Sequence, residues 1–188
     1  MSTLPDALRR PLVEHLLAHA VRTGDFVLKS GRRSPWFIDA KQTTGRPEGL
    51  LAVADAALAV LPDDVTALGG LTMGADAMAY GVAAVAATRG RALRSFSVRK
   101  EPKDHGGGGR IAGALEPGDR VAIVEDAVTR GVSMLEAVDA VAEAGAVAVL
   151  LLPLVDRGGT VTALAAERGL PVLALVTAPD LGFSFEGP

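Results

Sequence analysis

The residues best suited to chemistry fall in one run, Val121-Ala-Ile-Val-Glu-Asp-Ala-Val-Thr-Arg-Gly-Val-Ser133, where an apolar stretch meets two acids and then Thr129, Gly131 and Ser133. Backbone N–H groups at a turn entering a helix bind a phosphate with help from the helix dipole, and the hydroxyls of Thr129 and Ser133 add donors. Gly131 permits close approach of the backbone. Glu125 and Asp126, at a strand tip, can accept hydrogen bonds from vicinal ribose hydroxyls, directly or through a metal-bound water. A carboxylate pair beside a phosphate cradle therefore points to a sugar phosphate. The plainer alternative is capping, with Asp126 closing a turn and Thr129 or Ser133 starting the helix. Capping, however, requires one such residue, not two acids, two hydroxyls and a glycine.

The elements that must carry this run are legible in the apolar pattern. An opening helix runs through Leu12, Val13, Leu16, Leu17, Ala20 and Val21, followed by a turn at Gly24 and short strands over 26–28 and 36–38. Alternation follows: helix 47–61, strand 65–70, helix 75–88, strands 93–98 and 120–124, helix 131–144, strand 146–152, a short helix 160–168 and a last strand 172–176. Near-continuous Val, Leu and Ala strands alternating with helices favour an α/β fold with a parallel sheet covered on both faces, and ligands then gather at the carboxyl ends of the strands.

Composition narrows the function classes. With 188 residues, 49% hydrophobic and 22% charged, the chain has room for one well-buried domain spanning 1–188. A net charge of -3 with both signs interspersed supplies no broad basic face for nucleic acid, so small-molecule partners are expected. The absence of cysteine excludes disulfides, thiolate metal sites and a cysteine nucleophile. The chain opens without a basic segment leading into an apolar run, and its longest apolar stretch, 146–155, falls well short of the roughly 20 residues of a membrane span. A soluble cytoplasmic protein without a membrane partner is expected.

The run ending at Ser133 resembles the signature of the type I phosphoribosyltransferases: an apolar stretch, two acids, two further residues, then Thr-x-Gly and a hydroxyl. Glu-Asp stands where many members have Asp-Asp, and Arg130 and Val132 replace smaller residues. The resemblance implies that fold: a central mostly parallel sheet flanked by helices, with a small hood from roughly residues 1–45. It also implies that the segment Glu125, Asp126, Ala127, Val128, Thr129, Arg130, Gly131, Val132 and Ser133 binds 5-phosphoribosyl 1-diphosphate (PRPP), the acids facing the ribose and the loop enclosing the 5-phosphate.

A second run, Val98-Arg-Lys-Glu-Pro-Lys-Asp-His-Gly-Gly-Gly-Gly-Arg110, carries four bases, two acids and a histidine. Composition alone reads it as an exposed charged loop. Placed after a sheet strand and able to fold over a cleft, it also suits a departing pyrophosphate. Its Arg-Lys-Glu-Pro-Lys-Asp-His-Gly core resembles the catalytic loop of the orotate phosphoribosyltransferases, enzymes of pyrimidine (UMP) biosynthesis that transfer the phosphoribosyl group to orotate.

This narrower resemblance extends over nearly the whole chain. Phe26-Val-Leu-Lys-Ser-Gly-Arg-Arg-Ser-Pro-Trp-Phe-Ile-Asp39 is similar to the hood, and Leu154-Val-Asp-Arg157 to the site of an orotate-binding arginine. It implies that Lys29, Trp36, Phe37, Thr129 and Arg157 contact orotate, whose carboxylate suits a planar guanidinium. The resemblance also implies that Arg99, Lys100, Lys103 and His105 meet pyrophosphate, and that Lys103, His105 and Asp126 form the catalytic set. The resemblance implies that magnesium arrives mainly through PRPP and water, with no metal held by protein ligands alone. A homodimer that shares the loop of residues 99–110 across its interface is implied too. The pyrophosphate loop, Leu68-Gly-Gly-Leu-Thr-Met-Gly-Ala-Asp76, lacks the lysine frequent in the family, with Gly74 roughly at its position. A non-proline cis peptide near Leu71-Thr72 is implied as well.

Two other functions compete. A non-catalytic PRPP sensor needs a nucleic-acid surface or a helix-turn-helix unit, and neither is evident. A transferase for purines or another pyrimidine is disfavoured by the Arg-Lys-Glu-Pro-Lys loop and Arg157 together.

Overall fold

The computed structural model describes residues 4–27, 31, 33–102 and 109–187. Helix α1 (Asp6–His19) leads into an antiparallel ribbon, β1 (Val21–Val27) and β2 (Arg33–Ile38), and then a single turn, α2 (Lys41–Thr44). There follow α3 (Pro47–Val60), β3 (Ala67–Leu71), α4 (Asp76–Thr88), β4 (Arg94–Val98), β5 (Ile111–Gly113), β6 (Arg120–Val128), α5 (Val132–Glu143), β7 (Val147–Asp156), α6 (Val161–Ala166) and β8 (Val176–Thr177). A 3-10 turn at Pro179–Leu181 precedes the tail.

The main sheet has the order β5-β4-β3-β6-β7-β8, parallel except for the antiparallel β4–β5 pair. Side chains alternate across its faces with the period of two that a strand imposes. Ala122, Val124, Leu150, Leu152 and Leu154 pack with α1, α3 and α4, whereas Val121, Ile123 and Leu151 pack with α5 and α6. Each fully buried leucine contributes on the order of 1.5–3 kcal/mol. Central strands therefore read as unbroken apolar runs because both faces are covered.

Most expected elements form within a few residues of their expected bounds, and the departures have physical causes. Val21 belongs to β1, since α1 ends at His19. Gly24 does not close a turn; it lies inside β1 where the register slips between Thr23 and Phe26. Strands β6 and β7 run past 124 and 152 because they pair with each other as far as Val128 and Asp156. The strand expected over 172–176 shrinks to a bridge between Leu151 and Val172 plus the short β8. The sequence reading contained neither β5 nor α2. The cis peptide lies at Thr72-Met73, one bond beyond its expected place. Among the described residues, no helix is long and apolar enough to cross a membrane.

Candidate active site

The site is built at the carboxyl end of β6. Glu125 and Asp126 fall inside the strand rather than at its tip, opposite the end of β7, and both are buried. Space for them comes from Gly74 in the β3–α4 loop. A Cβ there would press into Glu125 Oε1 and lie 2.7 Å from Asp126 Oδ1.

Downstream the chain turns through Thr129 and Arg130 to Gly131, whose φ of +86° caps α5. A side chain at 131 would meet Val161 Cγ2 at 2.9 Å, so both conformation and space favour glycine. Helical bonding begins at the Gly131 carbonyl, which accepts from Met134 and Leu135. The amides of Val132 and Ser133 precede that bond and have no acceptor within the helix, as an anion-binding helix start requires. The Thr129 carbonyl accepts the Thr160 hydroxyl at 2.8 Å, which ties the loop to the start of α6.

Electrostatics at the pair are unequal. Burial pushes the Glu125 carboxyl up to about 7, and the neighbouring Asp126 charge adds to that rise. The Ser133 hydroxyl and the Lys41 charge act against it. Ser133 therefore stands close enough to Glu125 to favour its charged form, in addition to standing at the helix start. Asp126 accepts the Ala127 N–H at 2.9 Å through Oδ1 and the Lys41 ammonium through Oδ2. Burial alone would lower the Lys41 pKa, but the bond to Asp126 and the charges of Asp126, Asp39 and Glu125 outweigh it and leave it raised.

The expected base-binding group is also assembled beside this loop, since the Arg157 N–H donates to the Val128 carbonyl at 2.8 Å. Arg157 is buried, and its guanidinium lies 4.6 Å from the Trp36 ring centroid. It donates to Ser34 Oγ at 3.1 Å, the Trp36 carbonyl at 2.8 Å and Glu186 Oε1 at 2.8 Å. Trp36 is itself buried beneath Phe183, stacked at 4.5 Å. Phe37 is exposed and pairs with Phe26 at 5.7 Å.

The remaining expected residues are distributed as follows. Arg99 leaves β4 beside β3, and its N–H donates to the Arg110 carbonyl at 2.7 Å, tying together the ends of the 99–110 loop. Lys100, Arg130 and Val132 are exposed. Ala127 and Val128 turn their side chains to the two cores, so any contact they make with a phosphate is through backbone. Lys29, Lys103 and His105 lie outside the described residues. Sequence reasoning missed Lys41 and Glu186. The only signal for Lys41 is its place two residues after the hood segment that ends at Asp39. Nothing in the sequence signals the Glu186 partnership.

Comparison with known proteins agrees with this geometry. No family model matches the chain. An orotate phosphoribosyltransferase of Nostoc sp. is 40% identical over 175 residues, 93% of this chain and 85% of that protein. One from Synechocystis sp. is 39% identical over 183 residues, 96% of this chain and 92% of that protein. Among solved structures, the Mycobacterium tuberculosis orotate phosphoribosyltransferase in complex with PRPP superposes with a TM-score of 0.77 at 28% identity, covering 94% of this chain and 99% of that one. With a mostly parallel sheet flanked by helices, a buried acid pair in the carboxyl-terminal half of β6 and relatives matched over nearly their whole length, this chain belongs to the orotate phosphoribosyltransferases, pentosyltransferase enzymes of the type I phosphoribosyltransferase fold.

Proposed function

We propose that the cleft at the end of β6 transfers the phosphoribosyl group of PRPP to orotate, giving orotidine 5-phosphate and pyrophosphate on the route to UMP. The observation that carries this reading is the buried Glu125–Asp126 pair on the strand that leads into a glycine-capped helix start. Two carboxylates suit the ribose diol, and the amides and hydroxyls from Thr129 to Ser133 suit the 5-phosphate. As the bond from the anomeric carbon to pyrophosphate lengthens, positive charge grows on the ribose and negative charge on the leaving group. Asp126 faces the first, and Arg99, Lys100, Lys103 and His105 neutralise the second, so no protein nucleophile is needed. Orotate is held by Arg157 with Lys29, Trp36, Phe37 and Thr129. In support, the Arg157 guanidinium already pairs with a carboxylate, that of Glu186.

Magnesium fits the donor set. Among the described residues, no group of three or more His, Cys, Asp or Glu could hold a metal, but Glu125 and Asp126 stand where a hydrated ion carried by PRPP would find acceptors. When bound, the ion neutralises pyrophosphate oxygens. We further assign the chain as a single domain with its hood over about residues 1–45, acting in the cytoplasm as a homodimer whose 99–110 loop serves the neighbouring cleft.

The test is to incubate pure protein with PRPP, magnesium and a panel of bases and to measure nucleotide products. Orotidine 5-phosphate as the dominant product is expected. A purine nucleotide, or PRPP binding without any product, contradicts the reading.

A further inference from the structure

Positive charge is unevenly supplied around the acid pair. The β3–α4 loop and its flanks, from Gly69 in β3 to Asp76 in α4, contain no base. Met73 is 72% exposed, the Thr72 hydroxyl donates to Asp76 at 2.7 Å, and Gly74 turns its bare Cα to the two carboxylates. A cation reaches the pair from α2 instead. Lys41, the first residue of α2, bonds Asp126 Oδ2, while Asp126 Oδ1 faces Gly74. Asp126 thus meets an ammonium at one oxygen and a loop without a base at the other. The Lys41 side chain is 49% exposed, and an ammonium has three donors, of which Asp126 takes one.

Resting on the phosphoribosyl-transfer reading, we propose that Lys41 supplies the charge missing from the β3–α4 loop and binds the pyrophosphate of PRPP from the hood side. Ribose hydroxyls arriving at Asp126 compete for its oxygens, and the flexible lysine stem lets the ammonium turn to a phosphate oxygen while α2 stays in place. A purely structural ion pair would leave the remaining donors to solvent and contribute little to substrate affinity.

The experiment compares wild type with Lys41→Met and Lys41→Arg. Binding of inorganic pyrophosphate with magnesium is measured by calorimetry, and KM for PRPP and for orotate by steady-state kinetics. For Lys41→Met, a ten- to hundredfold weakening of pyrophosphate and PRPP is expected, with orotate changed by less than about twofold, the loss of one charge-assisted contact. Lys41→Arg should recover most of that affinity. Pyrophosphate binding unchanged in a folded Lys41→Met overturns the proposal, as does an equal loss for orotate. Should Lys41→Met fail to fold, Lys41→Gln against Lys41→Arg carries the same comparison. Calorimetry needs no turnover, so a wild type that binds pyrophosphate through Lys41 yet makes no orotidine 5-phosphate would fail the reaction assignment alone.

Discussion

Arg157 and Glu186 form a buried ion pair at 2.8 Å that fastens the carboxyl-terminal tail to the end of β7. Under the proposed assignment, the tail carboxylate sits on the guanidinium that the orotate carboxylate uses. Arg157→Ala is expected to raise KM for orotate about ten- to hundredfold, or roughly 1.5–3 kcal/mol, and that for PRPP far less. Glu186→Gln, which removes the competing charge, should lower KM for orotate. Kinetics with each substrate varied in turn check both, on protein shown to be folded, because Arg157 also holds Ser34 and Trp36. Equal weakening of both substrates by Arg157→Ala removes the residue from the base site.

Glu125 predicts a dependence of stability on pH. Its carboxyl is raised from an ordinary 4.5 to about 7 by burial and by Asp126. Between those values the folded state keeps a proton that the unfolded chain has lost. The stabilising contribution is complete below about 4.5, declines as pH rises and is gone above about 7, a span of roughly 3 kcal/mol. Denaturant unfolding at pH 5 and pH 8 should show this decline in wild type and a smaller one in Glu125→Gln. Parallel curves for the two proteins contradict it.

Gly131→Ala tests the proposed phosphate loop. With φ at +86° and Val161 Cγ2 2.9 Å from the new Cβ, the substitution should cost about 1–3 kcal/mol of stability and weaken PRPP binding. Unfolding and calorimetry measure the two effects, and a variant of wild-type stability would show that the turn tolerates a side chain.

The sheet and the turn into α5 were legible because local rules decide them. The unbroken apolar run from Val121 to Val124 reports two covered faces, and Gly131 marks the turn entering a helix, where the structure finds φ at +86°. The extension of β6 through Glu125 and Asp126 was not, because acids read as a strand end unless the space opened by Gly74, some 50 residues away, is known. Lys41 lies 85 residues from Asp126, and Glu186 lies 152 from Ser34, whose hydroxyl it also accepts. Such pairings arise only when hood, sheet and tail pack together. Three-residue β5 has too little pattern to stand out after a glycine run.

The shared loop is tested by mixing. Lys103→Ala and Asp126→Asn are each expected to be nearly inactive. Refolded together as random dimers, they should regain about a quarter of wild-type activity, since half the dimers are mixed and half of their sites are intact. Activity no higher than the average of the two mutants places each loop over its own cleft.

The central claim is that Asp126 holds the ribose of PRPP while the acceptor is joined to it, and one assay addresses it most directly. Equal amounts of folded wild type and Asp126→Asn are given PRPP, magnesium and orotate, and orotidine 5-phosphate and pyrophosphate are measured together. The wild type should form both in equal amounts, whereas Asp126→Asn, nearly unchanged in volume but without the charge, should lose on the order of 3–4 kcal/mol of transition-state stabilisation, a loss of two to three orders of magnitude in rate. Product formation by Asp126→Asn at the wild-type rate would contradict the account.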